Sequence, residues 1–470
     1  MSSYDEGVLE GGPDMARTKI AIHVQKSSTL LEENVLMLGA AYMKRWKIPK
    51  NQRVSLCFGS FKKEVKVLPV AHLAGLRMDE SLAERLGIHP GIRLCLQYKP
   101  NTRTIQIGPL IGVLVSRVRA LDIERPFGTT TLFCKEMVDA CEKNGAFIYF
   151  FTPDDVPSRA TSVEGWSFNG QWNKSKFPIP DVVYNRLTSR KLENLASVQF
   201  FMKEVFSKYG TMIFNEKYLN KTEVFQALKQ DASLHSYLPE SYHFKNYMML
   251  KNMISKHPTV FLKPSIGSLG KGIIRISKVS SSNYVSQQTV INGVRKQSYS
   301  SLPSLFAKIA GKVKQQRFQI QQGLKLMEIN GRPVDFRALV QRNSLGQWSI
   351  TSIVARIAGD HHFVSNLARG GSLSTVPDAV ARGNISTVQS KSIELRLRKA
   401  SMEIAKGIEE QIPAHFAELG VDLAVDTTGK VWLLEVNSKP SKDDNTPLVE
   451  NKIRPSVTKV VQYAQFLAKY

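Results

Sequence analysis

The chain has 470 residues, of which 42% are hydrophobic, 9% aromatic and 22% charged, and it carries a formal net charge of +24. The length suits roughly two to four domains, and the composition excludes a mostly disordered chain and the collagen-like and coiled-coil classes. Four cysteines (Cys57, Cys95, Cys134 and Cys141), none in a C-x-x-C pair, are too few for a disulfide scaffold and argue against a structural zinc site.

Residues 1–17 are polar and glycine-rich and read as a flexible leader. They lack the basic flank and apolar stretch of a signal peptide. From residue 18 to 108 short β-rich runs alternate with Gly and Pro. Two pieces resemble each other there. Met43–Phe58 is followed by the alternating strand Glu64–Val67, and Ala83–Leu96 by Thr102–Ile107. Each reads as short helix, tight turn, strand and hairpin. The pair suggests a duplicated small β-barrel; two unrelated hairpins fit the same pattern.

Residues 109–214 change character. Pro109–Leu114 is an apolar run that fits a buried strand. Its apolar continuation to Val115 falls far short of the roughly 20 residues a membrane helix needs. Thr130–Asn144 places Leu132, Phe133, Met137, Val138 and Cys141 at helical spacing, and Gly145 ends it. Ala146–Phe151 follows as a continuous apolar strand. Strand, helix and strand in that order predict a parallel α/β layer. Gly165 to Trp172 predicts a hairpin, Asp181–Arg186 a strand, and Glu193–Tyr209 an amphipathic helix.

A third domain, 215–470, begins with a short helix at Leu219–Gln230. Strands are predicted at Val260–Lys263, Arg317–Gln321, Asp335–Gln341, Trp348–Arg356 and Lys430–Val436, and a long helix at Ile393–Gln411. The Ser/Gln/Asn-rich stretch Ser280–Ser301 reads as an exposed excursion. Residues 217–328 hold 17 Lys and Arg against 4 Asp and Glu, a net +13. Such charge suits an anionic ligand, an acidic polymer or nucleic acid. With no run of five like charges and no basic tail, nucleic acid is the weakest of these readings. The expectation is a reduced, cytoplasmic protein with no membrane span.

Three segments carry chemistry. Val260–Arg275 sets Gly267, Gly270 and Gly272 between two β-runs, with Ser265, Ser268 and Lys271 as donors. Glycines let backbone N–H groups approach phosphate oxygens. The turn leads to a strand and lacks the Walker A spacing, so a plain glycine-rich hairpin fits equally. Next, Glu435 and Asn437 lie two apart on a strand, hence on one face, with Asp422 on the neighbouring strand. Oxygen ligands of this kind suit magnesium, which takes one or two carboxylates and completes its shell with water and phosphates. Third, Asp335-Phe-Arg337, Arg356 and Asn366-Leu-Ala-Arg369-Gly-Gly lie between these segments. Arginines converging on a metal–phosphate site stabilise charge in phosphoryl transfer.

In this order the motifs resemble the ATP-grasp superfamily. The run is Asn220-Lys221, Phe261-Leu-Lys263-Pro, Gln321-Gln-Gly-Leu324, Asp335-Phe-Arg337, Asn366-x-x-Arg369-Gly-Gly, then Asp422 and Glu435-x-Asn437-x-x-Pro440. Arg125-Pro-Phe-Gly and Pro180–Arg186 add to it. The sequence is most similar to the YheC/YheD spore-coat-associated ATP-grasp proteins, with motifs shared by the RimK and glutathione-synthetase branch, over about residues 105–445. The resemblance implies an α/β protein: an α+β ATP-grasp clamp preceded by an α/β pre-ATP-grasp domain and a small β-rich domain. It implies an ATP- and Mg2+-dependent carboxylate–amine ligase acting through an acyl-phosphate, associated with the spore coat. An ATP-binding coat or assembly protein without ligase activity is the alternative. Lys221, Lys263, Ser268, Gly270 and Lys271 would reach phosphates, and Gln321, Gln322, Gly323 and Leu324 would hold adenine. Asp422, Glu435 and Asn437 would bind magnesium, and Arg337, Arg356, Asn366 and Arg369 would serve catalysis. The carboxylate and amine substrates are open, an acidic peptide or polymer being one candidate. Gln322 departs from the acidic residue usual at its position, and Glu328 is a candidate ribose ligand.

Overall fold

The computed structural model describes residues 17–26, 34–50, 52–265, 272–290, 293–359, 370–386, 390–441 and 452–470. The expected leader, apart from Arg17, lies outside them. The chain forms two compact units, one ending at Glu216 and completed by Arg342–Gln347 and the C-terminal segment, the other built from Lys217–Gln341 and Trp348–Leu448.

The first unit opens with a closed seven-stranded barrel. Its strands run Thr18–Gln25, Gly75–Asp79, Val35–Gly39, Phe61–Val70, Arg53–Phe58, Thr104–Gly108 and Arg93–Lys99, and the last pairs with the first. Period-two patterning builds it. Ile20 and Ile22, Leu36 and Leu38, Val54 and Leu56, Val65 and Val67, Leu94 and Leu96, and Ile105 and Ile107 all point inward and are buried. Closure leaves no unpaired edge. Helix Ala40–Arg45 precedes one hairpin and helix Glu80–Leu86 the other. Asp79 caps the second helix by accepting from the Ser81 amide.

The same unit carries a six-stranded sheet in the order Trp172–Phe177, Val163–Phe168, Phe147–Phe151, Leu110–Leu114, Val182–Asn185 and Met212–Phe214. Its last four strands are parallel neighbours, and Leu110–Leu114 and Phe147–Phe151 are buried at every position. That is why they read as continuous apolar runs. Helix Thr131–Asn144 ends at Gly145 with φ 71°. The region expected as one helix from Glu193 is a short turn of helix, Arg190–Glu193, followed by Ala196–Tyr209.

One difference concerns the chain's end. The sequence reading placed everything after residue 215 in the third domain. Helix Pro455–Leu467 instead packs on helix Thr131–Asn144 of the first unit. Buried Arg454 donates from its backbone and guanidinium to Glu136, at 2.7 and 2.6 Å, and Gln465 donates to the Asn144 carbonyl at 2.7 Å. The helix was not recognised because its Val457, Val460 and Val461 favour strand as readily as helix.

The second unit contains two antiparallel sheets. The first has the order Ser241–His243, Phe318–Gln322, Thr259–Pro264, Ile274–Ser280, Asn283–Val290 and Gly293–Tyr299. Helices Tyr247–Lys256 and Leu302–Gln315 supply Leu250, Met253, Ile254, Leu305 and Ile309 to its core. The expected exposed excursion at 280–301 is here a β-hairpin in register from Tyr284↔Tyr299 to Val290↔Gly293. Its polar residues alternate on an outer ribbon, where two-fold burial is absent and the pattern is weak. The second sheet has the order Ser372–Ser374, Trp348–Ile357, Arg332–Arg342, Glu418–Val425 and Val431–Asn437. Helix Ile393–Gln411 buries Leu397, Ala400, Ile404 and Ile408 against it. No described helix is long and apolar enough to cross a membrane.

Candidate functional site

Strand Thr259–Pro264 buries Val260 and Leu262 against the helices, so Phe261 and Lys263 lie on its opposite face. Its neighbour pairs Phe261 with Gln321 and Lys263 with Gln319. The Lys263 ammonium donates to the Gln321 side-chain carbonyl, and Gln321 donates in turn to Ser241 Oγ at 2.9 Å. Gln319 shares this face and keeps a buried Oε1 with no hydrogen-bond partner among the described residues. Burial lowers the Lys263 pKa to about 8, with Lys221 lowering it further and Glu435 and Asp422 offsetting part of the effect. Lys263 therefore sits within the field of groups from the second sheet.

Lys221 is the first residue of helix Lys221–Leu228, whose cap Asn220 accepts from the Thr222 amide at 2.9 Å. The cap fixes the chain direction and sends Lys221 to Glu435, 2.9 Å away. Thr222 Oγ1 lies 3.1 Å from Ser265 Oγ, where the glycine-rich segment starts.

On the second sheet Asp422 and Glu435 are direct cross-strand partners, and Gly420 opposes Asn437. The pairing slips between Asp422 and Leu423, which leaves Leu434 as an extra residue. This bulge changes the phase of strand Val431–Asn437. Val431, Leu433 and Val436 are buried, while Glu435 and Asn437 stay accessible. Continuous alternation from Val431 would have turned Glu435 inward.

Asp422 does not stand alone. Arg337, its neighbour across the strand pair, clasps it with Nε and with Nη2, the latter at 2.9 Å. Arg356 clasps Asp335 at 2.6 and 2.9 Å and also reaches Asp422 at 3.1 Å. All four side chains belong to residues exposed by 8% or less. Burial by itself would raise the Asp422 pKa, but Arg337 and Arg356 hold it below the usual carboxylate range. Arg356 keeps its charge despite burial because Asp335 and Asp422 flank it. Two cations and two anions thus form a compact neutral cluster.

The link after Phe318–Gln322 is also specific. The Gln322 amide donates to the Glu240 carbonyl at 2.9 Å and the Gly323 amide to the Thr259 carbonyl at 2.8 Å. These two N–H groups are spent within the chain. A base seated there would depend on the remaining carbonyls and on Leu324. Glu328, the ribose candidate, lies near enough to Arg275 to favour the guanidinium charge. Ser268, Gly270, Lys271, Asn366 and Arg369 lie outside the described residues. The sequence reading set Asp335 in the motif with Arg337 but gave it no role, and it did not single out Gln319. Asp335 was legible as the polar partner of Arg337 in an alternating strand, whereas nothing local marks Gln319.

Lys221, Lys263, Asp422 and Glu435 all belong to the second unit, whose two sheets form the fold of the ATP-grasp class. Residues 210–467 match the model of the family described as YheC/D like ATP-grasp, and the chain belongs to that family. It is 28% identical over 344 residues to the endospore coat-associated protein YheD of Bacillus subtilis (strain 168), covering 73% of this chain and 75% of the relative. It is 24% identical over 317 residues to the endospore coat-associated protein YheC of the same organism, covering 66% and 85%. Among solved structures, D-cycloserine synthetase DcsG gives a TM-score of 0.45 at 12% identity, covering 76% of this chain and 99% of that one. The ATP-grasp ligase PsnB complexed with a minimal precursor gives 0.44 at 12% identity, with the same coverage of 76% and 99%.

Proposed function

We propose that the chain is an ATP- and magnesium-dependent carboxylate–amine ligase working through an acyl-phosphate. The observation that supports this reading is the convergence of Lys263, half-buried and bonded among the described residues to a neutral amide oxygen, with the Lys221–Glu435 pair and the Asp422–Glu435 strand pair. A half-buried cation that has no carboxylate at hydrogen-bond distance among the described residues is suited to a polyanion. In the proposal Lys221 and Lys263, with Ser268, Gly270 and Lys271, bind the phosphates. The segment Gln321–Leu324 holds adenine. Glu435 and Asn437 bind magnesium, and Asp422 joins them by exchanging one of its arginine contacts. Magnesium, when bound, neutralises phosphate charge during transfer. Arg337, Arg356, Asn366 and Arg369 orient and stabilise the transferring group. Phosphorylation gives an unreactive carboxylate a leaving group, and closure keeps water away until the amine attacks.

The names of the two relatives support a second reading, an ATP-binding coat or assembly protein without ligation. Association with the spore coat is part of both. ADP release, measured with magnesium over a panel of carboxylates, amines and acidic peptides, separates them. Substrate-dependent ADP formation supports the ligase. Tight ATP binding with no ADP formed over the panel favours the structural role.

A further inference from the structure

A cleft of about 610 Å3 opens in the first unit between the barrel and the adjoining sheet. Three elements bring its charged and aromatic lining, Phe61 and Lys62 at the start of strand Phe61–Val70, Arg85 on helix Glu80–Leu86, and Lys176 with Phe177 at the end of strand Trp172–Phe177, and Thr161 and Ser162 add hydroxyls. Three exposed cations therefore face one cleft, and Glu84 is the single carboxylate in its lining.

Two of these cations have no local employment. Lys176 lies directly across from Glu164, but Glu164 is taken by Lys174 at 3.0 Å, and Lys174 also holds Asp155 at 2.9 Å. Among the described residues neither Lys62 nor Lys176 forms an ion pair. Arg85 is laid over the Phe61 ring, 5.2 Å from its centroid, which orients the guanidinium plane.

Hydrogen bonds and close packing tie the walls together. The Ser60 amide donates to the Ile179 carbonyl at 2.8 Å, and the Ile179 amide donates back to Ser60 Oγ at 2.9 Å. Beneath the cleft Gly87, at φ 69°, packs so closely that a Cβ would stand 2.4 Å from the Phe177 ring. A preformed cleft loses little conformational freedom when a ligand enters.

We infer that this cleft binds an acidic peptide segment. The cations sit on three separate elements, and the Ser60 and Ile179 amides are already paired. Side-chain cations from three elements, with those backbone amides spent, suit a chain of carboxylates better than a phosphate cradled by backbone N–H groups. The volume lies in the range of sites for extended ligands. Phe61 offers an apolar surface to the peptide's methylenes. The inference does not depend on the nucleotide reading, and the two are tested by separate measurements.

The test is fluorescence anisotropy of a labelled hexa-aspartate peptide with the full chain at low ionic strength. Binding is expected, it persists under saturating ATP and magnesium, and Lys62→Glu/Lys176→Glu weakens it at least about tenfold. A control of equal charge change at the exposed Lys50 and Lys203, both replaced by Glu, should leave affinity nearly unchanged. Absence of binding overturns the proposal. So does an equal loss in both double variants, which would mean diffuse attraction to a basic protein. Displacement by ATP would place the peptide in the nucleotide site, and displacement by equimolar inorganic pyrophosphate would mark a simple anion site; either result rejects the acidic-peptide assignment.

Discussion

Lys263 combines two demands in one side chain: it is largely withdrawn from water, and it faces a cluster of like and unlike charges. Its folded-state pKa is lowered to about 8, below the ordinary lysine value. The folded protein therefore binds fewer protons than the unfolded chain between about 8 and 10.5, so this group's destabilising contribution is full below pH 8 and fades as pH rises through that window. Nucleotide binding runs the opposite way, because the ammonium is the form that attracts phosphate. ATP affinity, measured by calorimetry from pH 7 to 9.5, is expected to fall as pH rises and to be accompanied by proton uptake near pH 8. Lys263→Met should bind at least about tenfold more weakly at pH 7 and lose that pH dependence. A parent whose affinity is flat across the range would remove Lys263 from the phosphate site. Glu435→Gln gives the complementary test. Gln keeps an acceptor for Lys221 but removes the charge a metal needs. Folding stability should change little, while manganese affinity in the presence of nucleotide falls at least about tenfold. Undiminished manganese binding would shift the ligand set away from Glu435.

Strand pairs decide which of these groups can meet. The bulge at Leu434 restores the phase between apolar and polar positions, so that Glu435 and Asn437 reach the accessible face. The slip is written in the sequence as apolar residues at 431, 433 and 436, a spacing that simple alternation cannot satisfy. The link after strand Phe318–Gln322 is equally constrained. A Cβ at Gly323 would lie 2.7 Å from the Thr259 carbonyl oxygen. That neighbour is backbone and cannot swing away. Gly323→Ala is expected to cost on the order of 1–3 kcal/mol, read as a lower thermal midpoint, and to weaken ATP binding because the strand end shifts. A variant as stable as the parent would show that the link tolerates displacement.

At the scale of the molecule the first unit joins its barrel to its sheet through a half-buried carboxyl. Asp181 accepts from the Leu110 amide at 2.8 Å, and burial raises its pKa to about 6 in spite of bonds from the Leu110 and Gly59 backbones. A raised carboxyl pKa contributes stability below about pH 3.8, and that contribution is lost as pH rises through about 6. Asp181→Asn removes the ionisation and keeps a carbonyl acceptor. The difference in unfolding free energy between variant and parent should therefore grow in the variant's favour from pH 4 to 7, by on the order of 2–3 kcal/mol. A difference that does not vary with pH would mean that Asp181 titrates like an exposed carboxyl.

Much of this protein is determined locally. Period-two runs marked barrel strands at Glu64–Val67 and Thr102–Ile107, a continuous apolar run marked Phe147–Phe151, and a glycine stop marked the end of helix Thr131–Asn144, because each reflects forces within a few residues. Motif order was equally legible: the lysines, the arginines and the Glu435-x-Asn437 pair are chemical types at short spacing. The tertiary structure alone decided how they engage one another. Arg337 and Asp422 are 85 residues apart, and Arg356 and Asp335 are 21 apart. Their pairing depends on strand register across a sheet, which no local spacing encodes. The same holds for helix Pro455–Leu467, whose valines suit strand or helix until Glu136 and Asn144 of the first unit take up Arg454 and Gln465. Local patterns choose elements through backbone preference and burial period, whereas register and docking follow from partners distant in the chain that meet only once the core has formed.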